Sequence, residues 1–349
     1  MNSTKGNSGD AGAPRVRLAD VARSVGLNRS TVSRALSNPD RVNPETRKLV
    51  QEAARRMGYT FNHSARSLSN GRTETILVAV PSRGQQSISP VVIDVLRGVF
   101  DEANRQSYGV LIREANPGDV SSRAYCALPG GIADGILSIS GTAQHMRHTG
   151  LTVESAGLPI VSLLTNHVSR QIPSIVAAEE QGLYELTSYL IDAGHRKLAY
   201  VSCAPDSEHD VPRYRGFCRR LAESGLEDDH VAFMGGRLDF PGGVVAAESF
   251  LALSERPTAV ACVSDEVAMG FIRRVKDAGL QVPDDVAVAG YDDLAGAAYN
   301  CPSLTTVSQP TYEIGVAGAR LLIDICTGLT SASPQLVIMP TTLVRRESA

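Results

Sequence analysis

The stretch LADVARSVGLNRSTVSRAL, residues 18–36, predicts two short helices separated by a tight turn. In its first half, apolar side chains recur at the spacing of one helical face, at Leu18, Val21, Ala22 and Val25. Gly26 follows as a residue suited to end a helix. The pattern therefore predicts a first helix that packs along one side and stops at Gly26.

The second half predicts a helix with a donor-rich outer face. Asn28 is suited to cap this helix, and its inner face is formed by Val32, Ala35 and Leu36. The outward side chains are Arg29, Ser30, Ser33 and Arg34. Because arginine can hold guanine with two hydrogen bonds and short hydroxyls fit phosphates, this face is typical of a recognition helix in a major groove. Two core helices of a larger α domain would show the same periodicity.

The distribution of charge favours the nucleic-acid interpretation. The net charge is −3, but residues 15–74 carry twelve Lys and Arg against five Asp and Glu, a net charge of +7. Residues 75–349 carry a net charge of −10. A basic head on an acidic body is typical of a protein that meets a polyanion at one end.

The flanking residues delimit a small helical domain. Residues 1–14 have almost no apolar side chains, so we expect a disordered tail. A third helix should begin at Asn43-Pro44, a capping residue followed by proline at the first helical position. Its apolar stripe is formed by Leu49, Ala53 and Met57. Together the three helices predict a helix-turn-helix domain over residues 15–59.

Residues 60–74 are basic and polar, which indicates a linker or hinge. A plain linker would have this composition. A segment with one large aliphatic side chain among Arg and Ser could also become helical on DNA and insert that side chain into the minor groove. Leu68 is the candidate for such a wedge.

From Thr75 onward, short apolar runs alternate with helical stretches, as in two doubly wound α/β lobes. In open α/β sheets, ligands bind beyond the carboxyl ends of the strands, so the polar residues that follow each strand are candidate ligands. These residues are Ser82, Ser140, the loop 205–210 with Arg213, Ser264, Asp265, Asp292 and Asp293.

The sequence offers little support for other classes of protein. A run of about 18 apolar residues and a secretion signal are both missing, so we expect a cytoplasmic protein. The six cysteines show no C-x-x-C spacing, and we expect neither a metal nor a cofactor. Adjacent carboxylates such as Asp292 and Asp293 usually diverge on a turn, which argues against a glycoside hydrolase. The alternatives are a cytoplasmic sugar-binding protein or a glycan-active enzyme without a DNA role.

Several ordered motifs resemble the lactose-repressor (LacI/GalR) family of bacterial transcription regulators. LADVARSVGLNRSTVSRALSN, RVNPETRKLVQEAARRMGY and ARSLSNGRT are similar to the DNA-binding domain and hinge of that family. GHRKLAYVS, RYRGF, the stretch from RPTAVACVSDE to VAVAGYDD, PSLTTVSQP and LVRRES are similar to its effector domain. The resemblance implies a homodimeric DNA-binding regulator, expected to be a repressor and not an enzyme, that reads a pseudo-palindromic operator.

The resemblance also implies roles for particular residues. Base-reading positions match Arg29, Ser30 and Arg34, and phosphate-contacting positions match Asn28, Thr31 and Ser33. The hinge leucine matches Leu68, with Ala65 and Arg66 in support. In the effector cleft, Arg213 matches a ligand-gripping arginine, Asp292 an acceptor for ligand hydroxyls, and Phe240 an aromatic that stacks on the ligand. A capped turn at Asp292 and a core position for Phe240 are the alternatives.

The expected core resembles periplasmic sugar-binding proteins, with two lobes joined by three crossovers. We expect a first lobe at about 75–175 and 303–332, and a second at about 176–302 and 333–349. Where the family often has Asn-Pro-Phe-Phe, this chain has Ser89, Pro90, Val91 and Val92, and Ala178-Glu179 replaces a common Asp-Asn. Because stacking partners are lost, a sugar or related metabolite is expected rather than a purine. The chain ends without leucine heptads, so a dimer is expected rather than a tetramer.

Overall fold

The computed structural model describes residues 16–37, 42–59, 72–81, 88–115, 132–139, 158–202, 208–227 and 230–349. The chain divides into two compact units, Met1–Thr73 and Glu74–Ala349. Among the helices of the described ranges, none has the length and apolar content needed to span a lipid bilayer.

The N-terminal unit contains the three predicted helices. They are α1 (Leu18–Val25), α2 (Arg29–Ser37) and α3 (Pro44–Arg56). Helix α1 ends at Gly26, which adopts the left-handed conformation with φ of 67°. The side chain of Asn43 accepts a hydrogen bond from the backbone N of Glu45 at 2.9 Å, so α3 is capped as predicted.

The core of the N-terminal unit differs from the sequence prediction at one position. Val21, Val32 and Val50 are buried at the centre of the three helices, whereas Leu49 is 50% exposed. The predicted stripe of Leu49, Ala53 and Met57 is therefore wrong at its first member. Steps of four residues drift around a helix of 3.6 residues per turn, so the buried face of α3 begins at Val50 instead.

In the second unit, the first lobe is built on a six-stranded parallel sheet in the order β11-β5-β4-β3-β1-β2. Its strands are β1 (Thr75–Pro81), β2 (Gly109–Ala115), β3 (Gly135–Ile139), β4 (Ile160–Leu163), β5 (Ser174–Ala177) and β11 (Leu336–Met339). Helices α4 (Pro90–Arg105) and α9 (Thr311–Thr327) pack together on this sheet. The central strands are buried throughout, as expected for parallel strands covered on both faces.

The second lobe is built on a four-stranded parallel sheet in the order β7-β6-β8-β9. Its strands are β6 (Leu198–Ser202), β7 (Val231–Met234), β8 (Ala259–Cys262) and β9 (Ala287–Ala289). Its helices are α5 (Glu179–Asp192), α6 (Asp210–Glu223), α7 (Phe240–Leu251) and α8 (Asp265–Asp277). The antiparallel pair β10 (Thr306–Ser308) and β12 (Thr342–Val344) adjoins this sheet through bridges from Thr305 and Ser308.

Two of the expected lobe boundaries differ from those in the structure. Strand β11 pairs with β5, so residues 336–339 lie in the first lobe and not in the second. Leu304 and Val307 are buried in the core of the second lobe, so the segment before α9 belongs there. The chain crosses between the lobes three times, after β5, after β10 and after β11. Strands β5 and β11 lie in the sheet of the first lobe, whereas β6, β10 and β12 belong to the second lobe.

Helices α5 and α6 approach each other closely at Gly216. A Cβ atom at this position would lie 2.0 Å from the backbone O of Glu180 and 3.1 Å from the N of Tyr184. Any larger residue would have to displace backbone. The absence of a side chain at Gly216 therefore sets the distance between the first turns of α5 and α6, which carry the site described below.

We predict that Gly216→Ala destabilises the second unit by about 1–3 kcal/mol, because the added methyl group forces α6 away from α5. Chemical denaturation followed by circular dichroism measures the change. Gly296→Ala is the matched control, since its φ is negative and a Cβ there would meet only Met269 at ordinary contact distance. Equal stability of the two variants would contradict the prediction.

Candidate functional site

The second helix of the N-terminal unit presents the predicted polar face to solvent. Asn28, Arg29, Ser30 and Arg34 are exposed, and Thr31 and Ser33 are half-buried. The backbone O of Asn28 accepts hydrogen bonds from the N of Thr31 and Val32 at 2.9 and 3.0 Å, which starts α2 at this position. The hinge candidates Ala65, Arg66 and Leu68 lie outside the described residues.

A cavity of about 180 Å³ lies where the carboxyl ends of strands from both lobes meet. Its apolar wall is aliphatic, and its polar groups include one arginine and two carboxylates. The described residues that line it are Pro81, Ser89, Val91, Val92, Leu164, His209, Arg213, Leu238, Ser264, Glu266, Asp292 and Gln309. The volume is below the range of about 300–1,000 Å³ of pockets for drug-sized ligands, which favours a compact ligand.

Arg213 is the buried cation of this cavity. Its Nε and Nη2 atoms donate to Oε1 of Glu179 at 3.1 and 2.7 Å, and its Nη1 atom donates to the backbone O of Val263 at 2.6 Å. The guanidinium group also lies over the ring of Tyr291, with Cζ 3.9 Å from the ring centre. The planar guanidinium is therefore fixed in position before any ligand arrives.

The ionic state of the Arg213–Glu179 pair follows from its burial and its charges. Burial alone would lower the pKa of Arg213, but the negative charges of Glu179 and Asp292 outweigh burial and raise the pKa. Burial alone would raise the pKa of Glu179, whereas Arg213 and then His209 lower it below its ordinary value. Nδ1 of His209 lies 3.3 Å from Oε1 of Glu179. Both members of the pair are charged at neutral pH.

Asp292 lies on a strained turn beside the pair. Its φ of 119° and the φ of 54° at Asp293 are values that residues with a side chain rarely adopt. Oδ1 of Asp292 accepts a hydrogen bond from Nε2 of Gln309 at 2.6 Å and lies 3.6 Å from Nη1 of Arg213. Burial raises the pKa of Asp292 to about 6, although Arg213 and the Gln309 hydrogen bond oppose the rise.

The neighbouring carboxylate, Asp293, points elsewhere. Its Oδ1 atom accepts a hydrogen bond from Nη2 of Arg346 at 2.7 Å, while Asp292 is held by Gln309. The two carboxylates diverge, as expected for adjacent residues on a turn. They are not arranged as a hydrolytic pair.

The structure differs from the sequence prediction at Asp265, which is not among the residues that line the cavity. Its Oδ1 atom accepts from Oγ1 of Thr306 at 2.5 Å, and its Oδ2 atom accepts from the backbone N of Leu294 at 2.7 Å. Burial, with the nearby charge of Asp292, raises its pKa well above the ordinary value. Asp265 braces the strained turn instead of reaching toward a ligand. Ser264 lines the cavity, and its hydroxyl also caps α8 by accepting from the N of Val267.

Phe240 is also not brought to the cavity. It begins α7 and is 47% exposed, and its backbone O packs against Gly270. Neither the predicted stacking role nor a core position fits this location, and Leu238 lines the cavity instead. Ser82 and Ser140 lie outside the described residues.

Four polar residues of the site were not singled out by the sequence reasoning: Glu179, His209, Glu266 and Gln309. Glu179 lies two residues after the end of β5, so the expectation that ligands bind beyond the carboxyl ends of strands could have found it. His209 lies just before α6, within the loop that this expectation selected only as a group. Gln309 follows β10 at a crossover between lobes, a position that only the sheet order reveals.

Comparison with known proteins agrees with this two-part architecture. Residues 17–62 match the model described as bacterial regulatory proteins, lacI family, and residues 187–349 match the periplasmic binding protein-like domain. Catabolite control protein A of Priestia megaterium is 32% identical over 312 residues, which cover 88% of this chain and 91% of that protein. The HTH-type transcriptional regulator CelR of Thermobifida fusca is 30% identical and covers 96% of this chain and 98% of its own length.

Solved structures give the same picture. The structure described as the transcriptional regulator CelR-cellobiose complex has a TM-score of 0.71 at 29% identity and covers 96% of this chain and 100% of that chain. The lac repressor dimer bound to operator has a TM-score of 0.80 at 23% identity and covers 95% and 98% of the two chains, and shows the shared fold. The architecture is thus that of a helix-turn-helix regulator with a periplasmic-binding-protein-like core. The chain belongs to the lacI family of bacterial regulatory proteins, a family of transcription regulators and not of enzymes.

We predict that Asp292→Asn stabilises the protein at pH 7.5 by about 1–3 kcal/mol and that the gain disappears as the pH falls from about 6 to about 4. The pKa of Asp292 is raised to about 6, so the wild-type protein bears the full cost of burying this carboxylate above that pH, and the cost declines to zero as the pH falls to the ordinary aspartate pKa of about 4. Denaturation curves at a series of pH values measure the difference. Asp284→Asn, at an exposed position before β9, is the control. A gain that does not change with pH would contradict the assignment.

Proposed function

We propose that this chain is a sequence-specific DNA-binding repressor whose affinity for its operator is controlled by a compact sugar or related metabolite bound in the Arg213 cavity. The observation that carries the proposal is the combination, in one chain, of an exposed donor-rich helix α2 with a polar cavity at the strand ends of a two-lobed core. A sugar-binding protein without a DNA role would not need the exposed arginines of α2. An enzyme would need a nucleophile or a metal, and the described residues contain no cluster of three or more metal-ligating side chains.

The cavity has the groups that a polyol requires. Arg213 supplies fixed donors, Asp292 supplies a carboxylate acceptor, and Gln309 and Ser264 can exchange hydrogen bonds with hydroxyl groups. The aliphatic side chains suit the carbon face of a sugar, and no Phe, Tyr or Trp is among the described residues that line the cavity. The cellobiose complex of CelR, a relative with similar architecture, supports a sugar as the ligand class.

On the DNA side, we assign base reading to Arg29, Ser30 and Arg34, and phosphate contacts to Asn28, Thr31 and Ser33. The exposure of Arg29, Ser30 and Arg34 supports this assignment. Ala65, Arg66 and Leu68 are assigned to a hinge that enters the minor groove at the centre of the operator. The proposed organisation is a head over residues 15–59, a hinge over 60–74 and an effector domain over 75–349.

The proposed working form is a cytoplasmic homodimer that binds a pseudo-palindromic operator. Ile93 and Phe100 are exposed apolar residues on α4, which supports pairing of two copies through the first lobe. The lac repressor of similar fold was solved as a dimer on its operator. Ligand binding then alters operator affinity because the ligand binds more tightly to one arrangement of the lobes than to the other.

We predict that Arg34→Ala weakens binding to the cognate operator by about 1–3 kcal/mol and leaves binding to scrambled DNA little changed, because a lost base contact removes specificity. Titration of both DNAs at a fixed salt concentration measures the effect. Arg56→Ala is the matched control, since it removes one exposed positive charge from α3 without touching the α2 face. Equal loss on both DNAs would place Arg34 on the phosphates instead.

We predict that Arg213→Ala abolishes the response of operator binding to every sugar that shifts the wild-type protein, while operator affinity without ligand stays nearly unchanged. Because this change leaves Glu179 buried without its partner, Asp292→Ala is tested beside it. Arg215→Ala, two residues further along α6 with a side chain 65% exposed, is the matched control. Parallel loss of operator binding and sugar response in both cavity variants would count against the cavity.

A further inference from the structure

One edge of the Arg213 guanidinium group, formed by Nε and Nη2, carries an inference about the ligands that the cavity excludes, and this inference rests on the effector role proposed above. Two parallel N–H groups of an arginine are the arrangement that holds a carboxylate most firmly. Because Arg213 lines the cavity, this edge is where an acidic ligand would be expected to bind. In this chain, a carboxylate of the protein itself already lies there.

Glu179 supplies that carboxylate. Nε and Nη2 of Arg213 both donate to Oε1 of Glu179, at 3.1 and 2.7 Å. Arg213 is 4% exposed and Glu179 is 8% exposed, so salt in solution screens the attraction between them only weakly. A ligand from solution must therefore displace Glu179 before it can use the Nε–Nη2 edge.

The space that Glu179 fills adjoins the cavity. Its Oε1 atom contacts Arg213 and lies 3.3 Å from Nδ1 of His209, and both of these residues line the cavity. Glu179 belongs to the first turn of α5, where the close approach of Gly216 to the carbonyl of Glu180 fixes the helix against α6. Truncation of this side chain would open a space beside the cavity that faces the guanidinium group.

Arg213 keeps donors for a neutral ligand. Each of its terminal nitrogens carries a second hydrogen beyond the one given to Glu179 or to the backbone O of Val263. A ligand hydroxyl can accept from these hydrogens while Glu179 stays in place. A ligand carboxylate at the same point would lie close to Glu179 and to Asp292, whose Oδ1 atom is 3.6 Å from Nη1. Like charges repel strongly where burial reduces screening, so an acidic ligand is disfavoured.

We propose that Glu179 is a built-in occupant of a carboxylate-binding edge on Arg213, and that it is the residue through which the cavity excludes acidic ligands. A neutral polyol binds to the donors that remain, whereas an acidic sugar must displace Glu179. Loss of the Glu179 carboxylate converts the cavity into a receptor for small carboxylates. If the pair were only structural, truncation of Glu179 would weaken the fold without creating such a receptor.

The first test asks whether formate can replace the missing carboxylate in full-length Glu179→Ala. Thermal denaturation is followed in sodium formate and in sodium chloride of equal ionic strength. We expect formate to raise the midpoint of Glu179→Ala by about 2–4 °C in a saturable manner and to leave the wild-type midpoint unchanged. If the variant does not stay folded in chloride, recovery of folded protein on refolding in formate is the readout.

Two variants show whether formate acts at the proposed place. Glu180→Ala removes the next carboxylate of α5, which pairs with Arg215 and Arg219 and is not among the described residues that line the cavity. This variant should show no formate effect, and neither should Glu179→Ala combined with Arg213→Ala. The absence of a formate effect in Glu179→Ala, or an equal effect in either control, would overturn the proposal.

The second test measures the exclusion of acidic sugars. Dissociation constants of glucuronic acid and galacturonic acid are determined by calorimetry at pH 7. We expect at least one of these acids to bind Glu179→Ala about tenfold or more tightly than it binds the wild-type protein. Glu179→Gln, which removes the charge but keeps the size of the side chain, should change the affinity in the same direction. The proposal fails if the wild-type protein binds both acids as tightly as the variants do, or if neither acid binds any of the three proteins.

The outcome is separable from that of the proposed function. The same preparations are titrated with operator DNA in the absence of sugar. A protein that binds operator but shows no formate effect in Glu179→Ala keeps its function as a regulator, and Glu179 is then only a structural partner of Arg213. A protein that shows the formate effect but binds no operator refutes the regulatory function and leaves the role of Glu179 standing.

Discussion

The burial of one positive charge, that of Arg213, constrains the rest of the site. A guanidinium group removed from water requires a carboxylate and further hydrogen-bond acceptors close by. The first turn of α5 supplies the carboxylate of Glu179, and the end of β8 supplies the carbonyl of Val263. The segment after β9 adds a cation–π contact with the ring of Tyr291. The contacts of this one side chain therefore depend on the packing of three separate elements of the second lobe.

Close packing of helices makes this arrangement possible. Glu179 and Arg213 lie in the first turns of α5 and α6, and the two helices meet where Gly216 contacts the carbonyl of Glu180. A wider separation would leave two buried charges poorly paired, a state that costs more than leaving both in water. Helices α7 and α8 also pack closely at a glycine, since Gly243 lies against the carbonyl of Val267.

The sequence was most informative where structure is local. Helical periodicity and capping residues located α1 to α3. The prediction for Leu49 was wrong because the buried face of α3 begins one residue later, at Val50. The expectation that ligands bind beyond the carboxyl ends of the strands selected Arg213, Ser264 and Asp292. It could not separate Ser264 from Asp265, because adjacent side chains on one turn face different directions, and the direction is fixed by Thr306 and Leu294 from distant parts of the chain. The position of Gln309 at the cavity and the true lobe boundaries depend on the strand order of the sheets. The local pattern of apolar and polar residues does not reveal that order.

The hydrogen bond between Gln309 and Asp292 indicates how occupancy of the cavity can reach the rest of the core. Gln309 lies on the crossover between β10 in the second lobe and α9 in the first, so its position depends on the relation of the two lobes. Asp292 cannot relax freely, because its positive φ is held by the bond from its N to Val307 and by the bracing of Asp265. A ligand donor at Asp292 therefore competes with, or reinforces, a contact made by a crossover residue. In the proposed mechanism, a change in this contact on ligand binding would contribute to the coupling between the cavity and the lobes.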